Sequence, residues 1–188
     1  MADPKPRERI LTAATRLFYE EGILATGIDR VVAEAEVAPM TVYRQFGGKD
    51  RLVAATLERW SDRWLGWLRA EAERGGDDPA ARLDSLWDAL EKWFTAEGFR
   101  GSYVANAAVE LRSKPTHPAH GTIAAHRAAL RRLIQDTAAT PTPDAAMALH
   151  ILIDGAIAAA VVDRQPGAAT SARAMASAAL TGPGRGSR

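Results

Sequence analysis

The sequence predicts an all-α protein of about nine helices, and three observations support this fold class. Apolar residues recur at the spacing of one helix face along almost the whole chain, and the first such stripe is Ile10, Ala14, Leu17 and Phe18. No run alternates apolar and polar residues as a half-buried strand does. Glycines and prolines divide the periodic stretches into lengths typical of globular helices.

The first three helices are short and closely connected. The first is expected to end at Gly22, and Thr26 is the expected N-cap of the second. The buried face of the second helix is expected to contain Ile28, Val31, Val32 and Ala35. Pro39 can occupy the first turn of a third helix that runs to about Phe46, where Gly47 ends it.

A fourth, long helix is expected from Lys49 into the 70s, and further helices follow it. Among them, Ala145–Val162 is apolar except for His150 and Asp154, and it is at the lower limit of membrane-spanning length. An ionised aspartate near a bilayer centre costs about 2.5–3.5 kcal/mol. We therefore expect a helix that is buried in protein on all sides, and no membrane partner.

Charge and composition exclude some classes of protein. The 188 residues carry 24 basic and 23 acidic side chains, and a net charge of +1 gives no general attraction to nucleic acid. The absence of cysteine excludes disulfides, cysteine zinc sites and thiol-based redox sensing. Because Met1–Arg9 is polar and charged, no secretory signal is expected there, and a cytoplasmic protein is predicted.

Residues 28–46 have the pattern of a helix-turn-helix unit, whose second helix enters the DNA major groove. Val42 and Phe46 lie one turn apart and are expected to be buried. Arginine and glutamine can pair with base edges, threonine and methionine can contact thymine methyl groups, and tyrosine can bind phosphate. Lys49 would lie at a helix start that also attracts phosphate. The residues expected to face outward are Pro39, Met40, Thr41, Tyr43, Arg44 and Gln45.

The segment Val37–Leu52 resembles the DNA-binding domain of the TetR family of transcriptional regulators. The family pattern is close to Gly-Val-Ser-x-x-Thr-Leu-Tyr-x-His-Phe-x-x-Lys-Glu-x-Leu. The matching residues are Thr41, Val42, Tyr43, Phe46, Lys49, Asp50 and Leu52. The resemblance implies that phosphates are held by Thr26, Thr41, Tyr43 and Lys49. It implies that bases are read by Pro39, Met40, Arg44 and Gln45.

The sequence departs from the family pattern in three places. Glu36 replaces a turn glycine, and left-handed geometry costs a non-glycine residue about 1–2 kcal/mol. Ala38 replaces a serine or threonine cap, which loses about 1 kcal/mol of capping. A pair of glycines at 47–48 replaces a common Pro-Ser. The expected domains are a DNA-binding head at 1–50, a ligand-binding and dimerisation body at 51–182 and a flexible tail at 183–188.

All five tryptophans lie in the stretch expected to form the fourth and fifth helices. Trp60, Trp64 and Trp67 share one helix face, although a single tryptophan is more often an ordinary core residue. As a group, with neighbouring aromatic residues, they predict a cavity for a small effector that is apolar, aromatic or cationic. The expected lining residues are Trp64, Trp67, Trp87, Phe94, Tyr103, Asn106 and His150.

The resemblance also implies a homodimer, because the last two helices of each TetR-family protomer pair with those of a second copy. The residues expected at this interface are Leu149, Ile153, Ala156 and Ala160. A two-fold symmetric dimer suits a near-palindromic operator with half-sites about 34 Å apart.

The histidines leave a rival interpretation open, namely an all-α metal-binding protein or enzyme that uses His117, His120 and His126. A metal site needs three or four ligands that converge on one point. We therefore favour a surface pair, His117 and His120, and a core histidine, His126, over a metal site. Catalytic and nucleotide-loop motifs are absent, and no enzyme activity, cofactor or metal is expected. The sequence predicts a ligand-responsive homodimeric repressor, with a ligand-independent or activating regulator as a further alternative.

Overall fold

The computed structural model describes residues 5–139, 143–165 and 167–181, which form nine α-helices and no strand. The expected all-α class is therefore confirmed, while the expected tail at 183–188 lies outside the described residues. A 3-10 turn, Leu111–Ser113, follows the sixth helix. The helices are α1 (Pro6–Glu21), α2 (Ile28–Ala35), α3 (Pro39–Phe46), α4 (Lys49–Glu73), α5 (Pro79–Phe94), α6 (Tyr103–Glu110), α7 (Ala119–Ala138), α8 (Pro143–Val162) and α9 (Ala168–Thr181).

The chain forms two compact units, and the first consists of Met1–Trp64 and Ser102–Arg127. In this unit α1 packs against both α2 and α3, and the predicted apolar stripe of α1 is fully buried. The face predicted for α2 is buried at Val31 and Ala35 but only partly buried at Ile28. The three short helices therefore share one apolar core with the first part of α4.

The helix α6 belongs to the same unit as the helix-turn-helix pair, and two hydrogen bonds fix it there. At its first residue, the hydroxyls of Tyr103 and Thr56 of α4 lie 2.9 Å apart inside the core. At its last residue, the carboxylate of Glu110 accepts a hydrogen bond from the backbone N–H of Leu24 at 2.9 Å. The connection between α1 and α2 is thus held by the end of α6.

The second unit consists of Leu65–Gly101 and Ala128–Arg188. In it α8 packs against α9, and α5 packs against both. Arg173 of α9 pairs with two carboxylates on α5, at 2.8 Å from Asp84 and 2.9 Å from Asp88. Burial of apolar side chains and this fork of ion pairs both hold α9 on α5.

The turn between α4 and α5 has the glycine and cap that its geometry requires. A Cβ atom on Gly75 would lie 2.3 Å from the backbone nitrogen of Arg82, so a larger residue would force the turn apart. The carboxylate of Asp78 accepts hydrogen bonds from the N–H groups of Ala80 and Ala81. This cap starts α5 at Pro79, as the sequence indicates.

The most apolar helix, α8, has one buried and one exposed face. Leu149 and Ile153 are buried inside the second unit, whereas Ile151 is 62% exposed and Val162 is 77% exposed. Within the described residues, α8 is long and apolar enough to cross a membrane, a property that core helices share. The expectation of burial on all sides therefore holds for only one face of α8 in the single chain.

The packing groups the chain differently from the predicted division at residue 50. Residues 51–64 of α4 and residues 102–127 pack with the helix-turn-helix pair in the first unit. The predicted division separates a DNA-binding head at 1–50 from a ligand-binding and dimerisation body at 51–182. It concerns function rather than packing, so it stays a prediction.

Candidate nucleic-acid interface

Two buried side chains anchor α3, Val42 and Phe46, as expected from their spacing. The helix begins at Pro39 after Ala38, which provides no side-chain cap. It ends at Gly47, where a φ of 77° gives the left-handed conformation and the N–H donates to the carbonyl of Tyr43. Only one face of this short helix is therefore used for packing.

The outer face of α3 carries the side chains that were expected to be accessible. Met40 is 72% exposed and Tyr43 is 50% exposed, although both are large. Two large side chains exposed on one short helix form an apolar surface that favours a partner. The other accessible residues are Pro39, Arg44 and Gln45, which are exposed, and Thr41, which is half-buried.

The turn before α3 has the geometry expected from the departure at Glu36. This residue has φ 50° and ψ 51°, which is left-handed backbone that favours glycine. The N–H of Glu36 donates to the carbonyl of Ala33, and the side chain of Arg9 in α1 donates a hydrogen bond to the carbonyl of Glu36 at 3.2 Å. The contact from Arg9 does not involve the Glu36 side chain.

The structure corrects the role expected for Thr26. Gly27, not Thr26, is the N-cap residue of α2, and no side chain caps this helix. Thr26 is 1% exposed, and both its hydroxyl and its N–H donate to the carbonyl of Gly22. Since these donors are already used inside the first unit, the structure gives no support to a phosphate contact by Thr26.

Lys49 begins α4 and is half-buried. Burial lowers the pKa of its ammonium below the ordinary value, and the nearby Lys114 lowers it further, while Asp50 and Glu110 act in the opposite direction. A cation whose charge is disfavoured by its surroundings gains from an anionic partner. The position and the environment of Lys49 both suit a phosphate.

Arg7 is a cation beside α3 that the sequence pattern did not indicate. Its guanidinium carbon lies 5.1 Å from the ring centroid of Phe46, within cation–π range, and its side chain is 51% exposed. The two residues are far apart in the chain, so periodicity gives no signal of this contact. A positive charge therefore lies at the end of α3.

Comparisons with known proteins identify the family. The family model described as "Bacterial regulatory proteins, tetR family" matches residues 10–56. A TetR-family transcriptional regulator from Streptomyces coelicolor has a solved structure that is 31% identical, with a TM-score of 0.82, covering 93% of this chain and 94% of that chain. This chain belongs to the TetR family. Its relatives and its fold are those of DNA-binding transcription regulators, not of enzymes.

Two curated relatives of this TetR-family chain are also transcriptional regulators. LmrA of Bacillus subtilis is 30% identical over 60% of this chain and 62% of its own length. HbdR of an Aromatoleum strain is 37% identical over 46% of this chain and 40% of its own length. The chain thus spans less than two thirds of these curated relatives.

The residues expected to form an effector cavity are divided between the two units of the TetR-family chain. In the first unit, Trp64 and Tyr103 are buried and Asn106 is exposed. Trp64 stacks on Trp60 with ring centroids 5.6 Å apart. The second unit contains the remaining four, of which Trp87 and His150 are buried and Trp67 and Phe94 are half-buried.

The second unit contains an open groove of about 420 Å³ between the end of α4 and α5. Trp67 lines this groove, together with Trp93, which was not among the expected lining residues. Ala89, one helix turn before Trp93, also lines the groove, so the i, i+4 spacing of α5 places the two residues on one face.

The histidines of the TetR-family chain are placed differently from one another. His126 is the expected core histidine, with its Nδ1 2.8 Å from the hydroxyl of Ser61. The expectation of a surface pair is wrong for His117, which is buried, and both of its ring nitrogens have protein partners. His120 is partly buried. Within the described residues, no group of three or more metal-ligating side chains converges.

The residues expected at the dimer interface are buried to different degrees within the single chain. Leu149, Ile153 and Ala156 face into the second unit and are buried there, while Ala160 is partly buried. Their assignment to a dimer interface stays a prediction. Among the side chains that the structure describes, the large exposed apolar residues of α8 and α9 are Met147, Ile151, Val161, Val162 and Met175.

Proposed function

We propose that this TetR-family protein is a homodimeric, cytoplasmic repressor that binds a near-palindromic operator through α3 and leaves it when a small effector binds. The observation that carries the proposal is the exposure of Met40, Tyr43 and Arg44 on a helix anchored by Val42 and Phe46. A helix with this arrangement presents polar and apolar groups that base edges and thymine methyl groups can contact.

The roles within the interface follow from residue chemistry. Tyr43, Thr41 and Lys49 would hold phosphates and set the register of α3, while Arg44 and Gln45 would read purine edges. Pro39 and Met40, in the first turn of α3, would contact thymine methyl groups. Thr26 is left out of this set because its donors are used by Gly22.

The homodimer is supported by the exposed apolar face of α8 and α9. Exposed residues as large as Ile151, Val162 and Met175 on neighbouring helices are typical of a protein interface. A two-fold symmetric dimer would present two copies of α3, which suits an operator whose half-sites lie about 34 Å apart. The symmetry of the protein would then match that of the operator.

The effector response is supported by the course of α4. This helix carries Lys49 in its first turn and Trp67, which lines the groove of the second unit, nearer its end. An effector whose binding changes the position of α4 would change the phosphate contact of Lys49. A coupling free energy of about 1–3 kcal/mol would be enough for a useful switch.

A mobility-shift assay with the DNA that flanks the chain's own gene tests the proposal. We expect the purified protein to retard at least one such fragment, and the variant Arg44→Ala/Lys49→Ala to lose this retardation. Lys92→Ala, which removes an exposed charge from the second unit, is the matched control and should bind as the wild type does. If no fragment is retarded even at low salt, the proposed function is wrong. A reporter gene behind the retarded fragment should be repressed by the protein, and activation would contradict the repressor assignment.

A further inference from the structure

The groove of the second unit has a charge pattern that selects among the possible effectors. Two indole side chains, Trp67 on α4 and Trp93 on α5, line it. Its volume of about 420 Å³ is that of a small-molecule site. Trp93 is held in place by two further rings, with Phe94 at 5.8 Å and Phe99 at 4.9 Å between centroids. These contacts support the Trp93 side of the groove.

The polar lining of the groove is mostly cationic. Arg74 of α4 and Lys92 of α5 contribute one positive charge each, and Glu71 of α4 contributes one negative charge. The Nε of Arg74 lies 3.6 Å from a carboxylate oxygen of Glu71, so the single acidic group of the lining already faces a cation. Lys92 is exposed and has no ion pair within the described part of the chain.

These charges disfavour a cationic ligand and favour an anionic one. A cation in the groove would have to take Glu71 from Arg74 and would be repelled by Lys92. An anion would gain a charge-assisted hydrogen bond from Lys92 at once. It could also bind Arg74, because the Arg74 side chain is 70% exposed and lies at a long 3.6 Å from Glu71.

We infer that this groove binds a small aromatic carboxylate, with its ring against Trp67 and Trp93 and its carboxylate on Lys92 and Arg74. The assignment of this ligand as the effector rests on the proposed function, but the binding itself does not. An aromatic carboxylate replaces the apolar or cationic effector that the tryptophans alone suggest. The tryptophans favour a ligand with an aromatic ring, and the neighbouring cations favour a negative charge on that ligand.

Isothermal titration of the full chain with three compounds of nearly the same shape tests the charge of the ligand. The probes are 1-naphthoate, 1-naphthamide and 1-naphthylmethylamine, which are anionic, neutral and cationic at neutral pH. We expect 1-naphthoate to bind at least about fivefold more tightly than either of the others, since each exposed charge contact contributes a modest amount. Equal binding of the three, tighter binding of the amine, or no binding of 1-naphthoate overturns the inference.

The variant Lys92→Gln locates the site. It removes the positive charge from an exposed side chain, so the fold is retained, and it should weaken 1-naphthoate binding about threefold or more while leaving 1-naphthamide unchanged. Lys114→Gln, an exposed lysine of the first unit, is the matched control and should bind 1-naphthoate as the wild type does. If Lys92→Gln binds 1-naphthoate normally, or if Lys114→Gln is equally impaired, the assignment to this groove is wrong.

A mobility-shift assay with and without 1-naphthoate separates this inference from the proposed function. DNA retardation without selective 1-naphthoate binding would overturn the inference alone. Selective binding by a chain that retards no DNA would overturn the proposed function and support the carboxylate site. Release of retarded DNA by 1-naphthoate, reduced in Lys92→Gln, would support both.

Discussion

The Nε2 atom of His117 lies 3.3 Å from Oδ1 of Asp50, in the first turn of α4 and next to Lys49. The other ring nitrogen, Nδ1, accepts a hydrogen bond from the backbone N–H of Ala119 at 3.1 Å. An imidazole that accepts at Nδ1 and donates at Nε2 is the neutral tautomer. The start of α7 is thereby joined to the start of α4 by a neutral histidine.

Stability is therefore expected to fall on the acid side of neutrality through His117. Burial lowers the pKa of this imidazole below its ordinary value of 6.5; Lys114 and His120 act in the same direction, and Asp50 opposes them. As pH decreases through 6.5, the imidazole of His117 takes up a proton in the unfolded chain before it does so in the folded chain. The free energy of unfolding therefore decreases with pH until the pH falls below the lowered pKa of the folded chain.

Urea unfolding of the wild type and His117→Asn at pH 7.5 and pH 5.5 measures this effect. The asparagine oxygen can still accept from Ala119, but it cannot reach Asp50, so the variant should be about 1 kcal/mol less stable at pH 7.5. Between the two pH values the wild type should lose more stability than the variant. Equal losses would mean that His117 does not cause the pH dependence.

Replacement of Glu36 by glycine is expected to stabilise the protein. At φ 50° a non-glycine residue is strained by about 1–2 kcal/mol, and glycine removes this strain while its own flexibility takes back about 0.5–1 kcal/mol in the unfolded chain. The hydrogen bond from Arg9 goes to the backbone carbonyl and is retained. A net gain of about 0.5–1 kcal/mol should appear as a higher urea midpoint.

Glu36→Ala is the control for this prediction. Alanine removes the glutamate side chain but keeps the Cβ atom that causes the strain, so its midpoint should not increase. A gain of the same size in both variants would attribute the effect to the loss of the carboxylate rather than to backbone geometry.

Features of the fold that depend on nearby residues could be predicted from the sequence. The buried pair Val42 and Phe46, the break at Gly47 and the left-handed turn at Glu36 are each fixed within one or two helix turns. The exposed face of α3 follows from the same local geometry, which is why the candidate DNA contacts on it could be named.

Features that depend on distant residues could not be predicted. His117 meets Asp50 from a distant part of the sequence, so neither its burial nor this contact has a local sequence signal. In α8 the reason is different: apolar residues surround the helix, so the sequence could not distinguish the buried Leu149 from the exposed Ile151. Most residues of the expected effector cavity were recognised by their aromatic side chains, but the sequence could not show to which of the two units each residue belongs.

Substitutions at the DNA interface should separate phosphate contacts from base contacts. Lys49→Ala and Tyr43→Phe are expected to weaken binding to every DNA sequence by a similar factor and, for Lys49, to reduce the dependence of affinity on salt. Arg44→Ala is expected to cost about 1–3 kcal/mol on the operator and to relax the preference for one base pair.

Fluorescence anisotropy with the operator and with single-base variants of it at two salt concentrations measures these effects. Lys92→Ala should leave every value unchanged. A loss of base preference in Lys49→Ala, or a uniform loss in Arg44→Ala, would mean that the two roles have been assigned to the wrong residues.

The exposed face of α8 provides the last test, which concerns assembly. Ile151 is 62% exposed in the single chain. In a monomer, Ile151→Glu would place the new charge in water. In a dimer that forms through this face, the same charge would lie in an apolar interface. An unpaired buried charge costs several kcal/mol, enough to dissociate a dimer of ordinary affinity.

We therefore expect light scattering after size exclusion to give a dimer mass for the wild type and a monomer mass for Ile151→Glu. Val109→Glu is the control, because Val109 is 61% exposed on α6 in the first unit. The two variants remove similar exposed apolar groups, and the control should remain dimeric. A dimeric Ile151→Glu would place the interface elsewhere, whereas dissociation of both variants would show that added negative charge alone separates the copies.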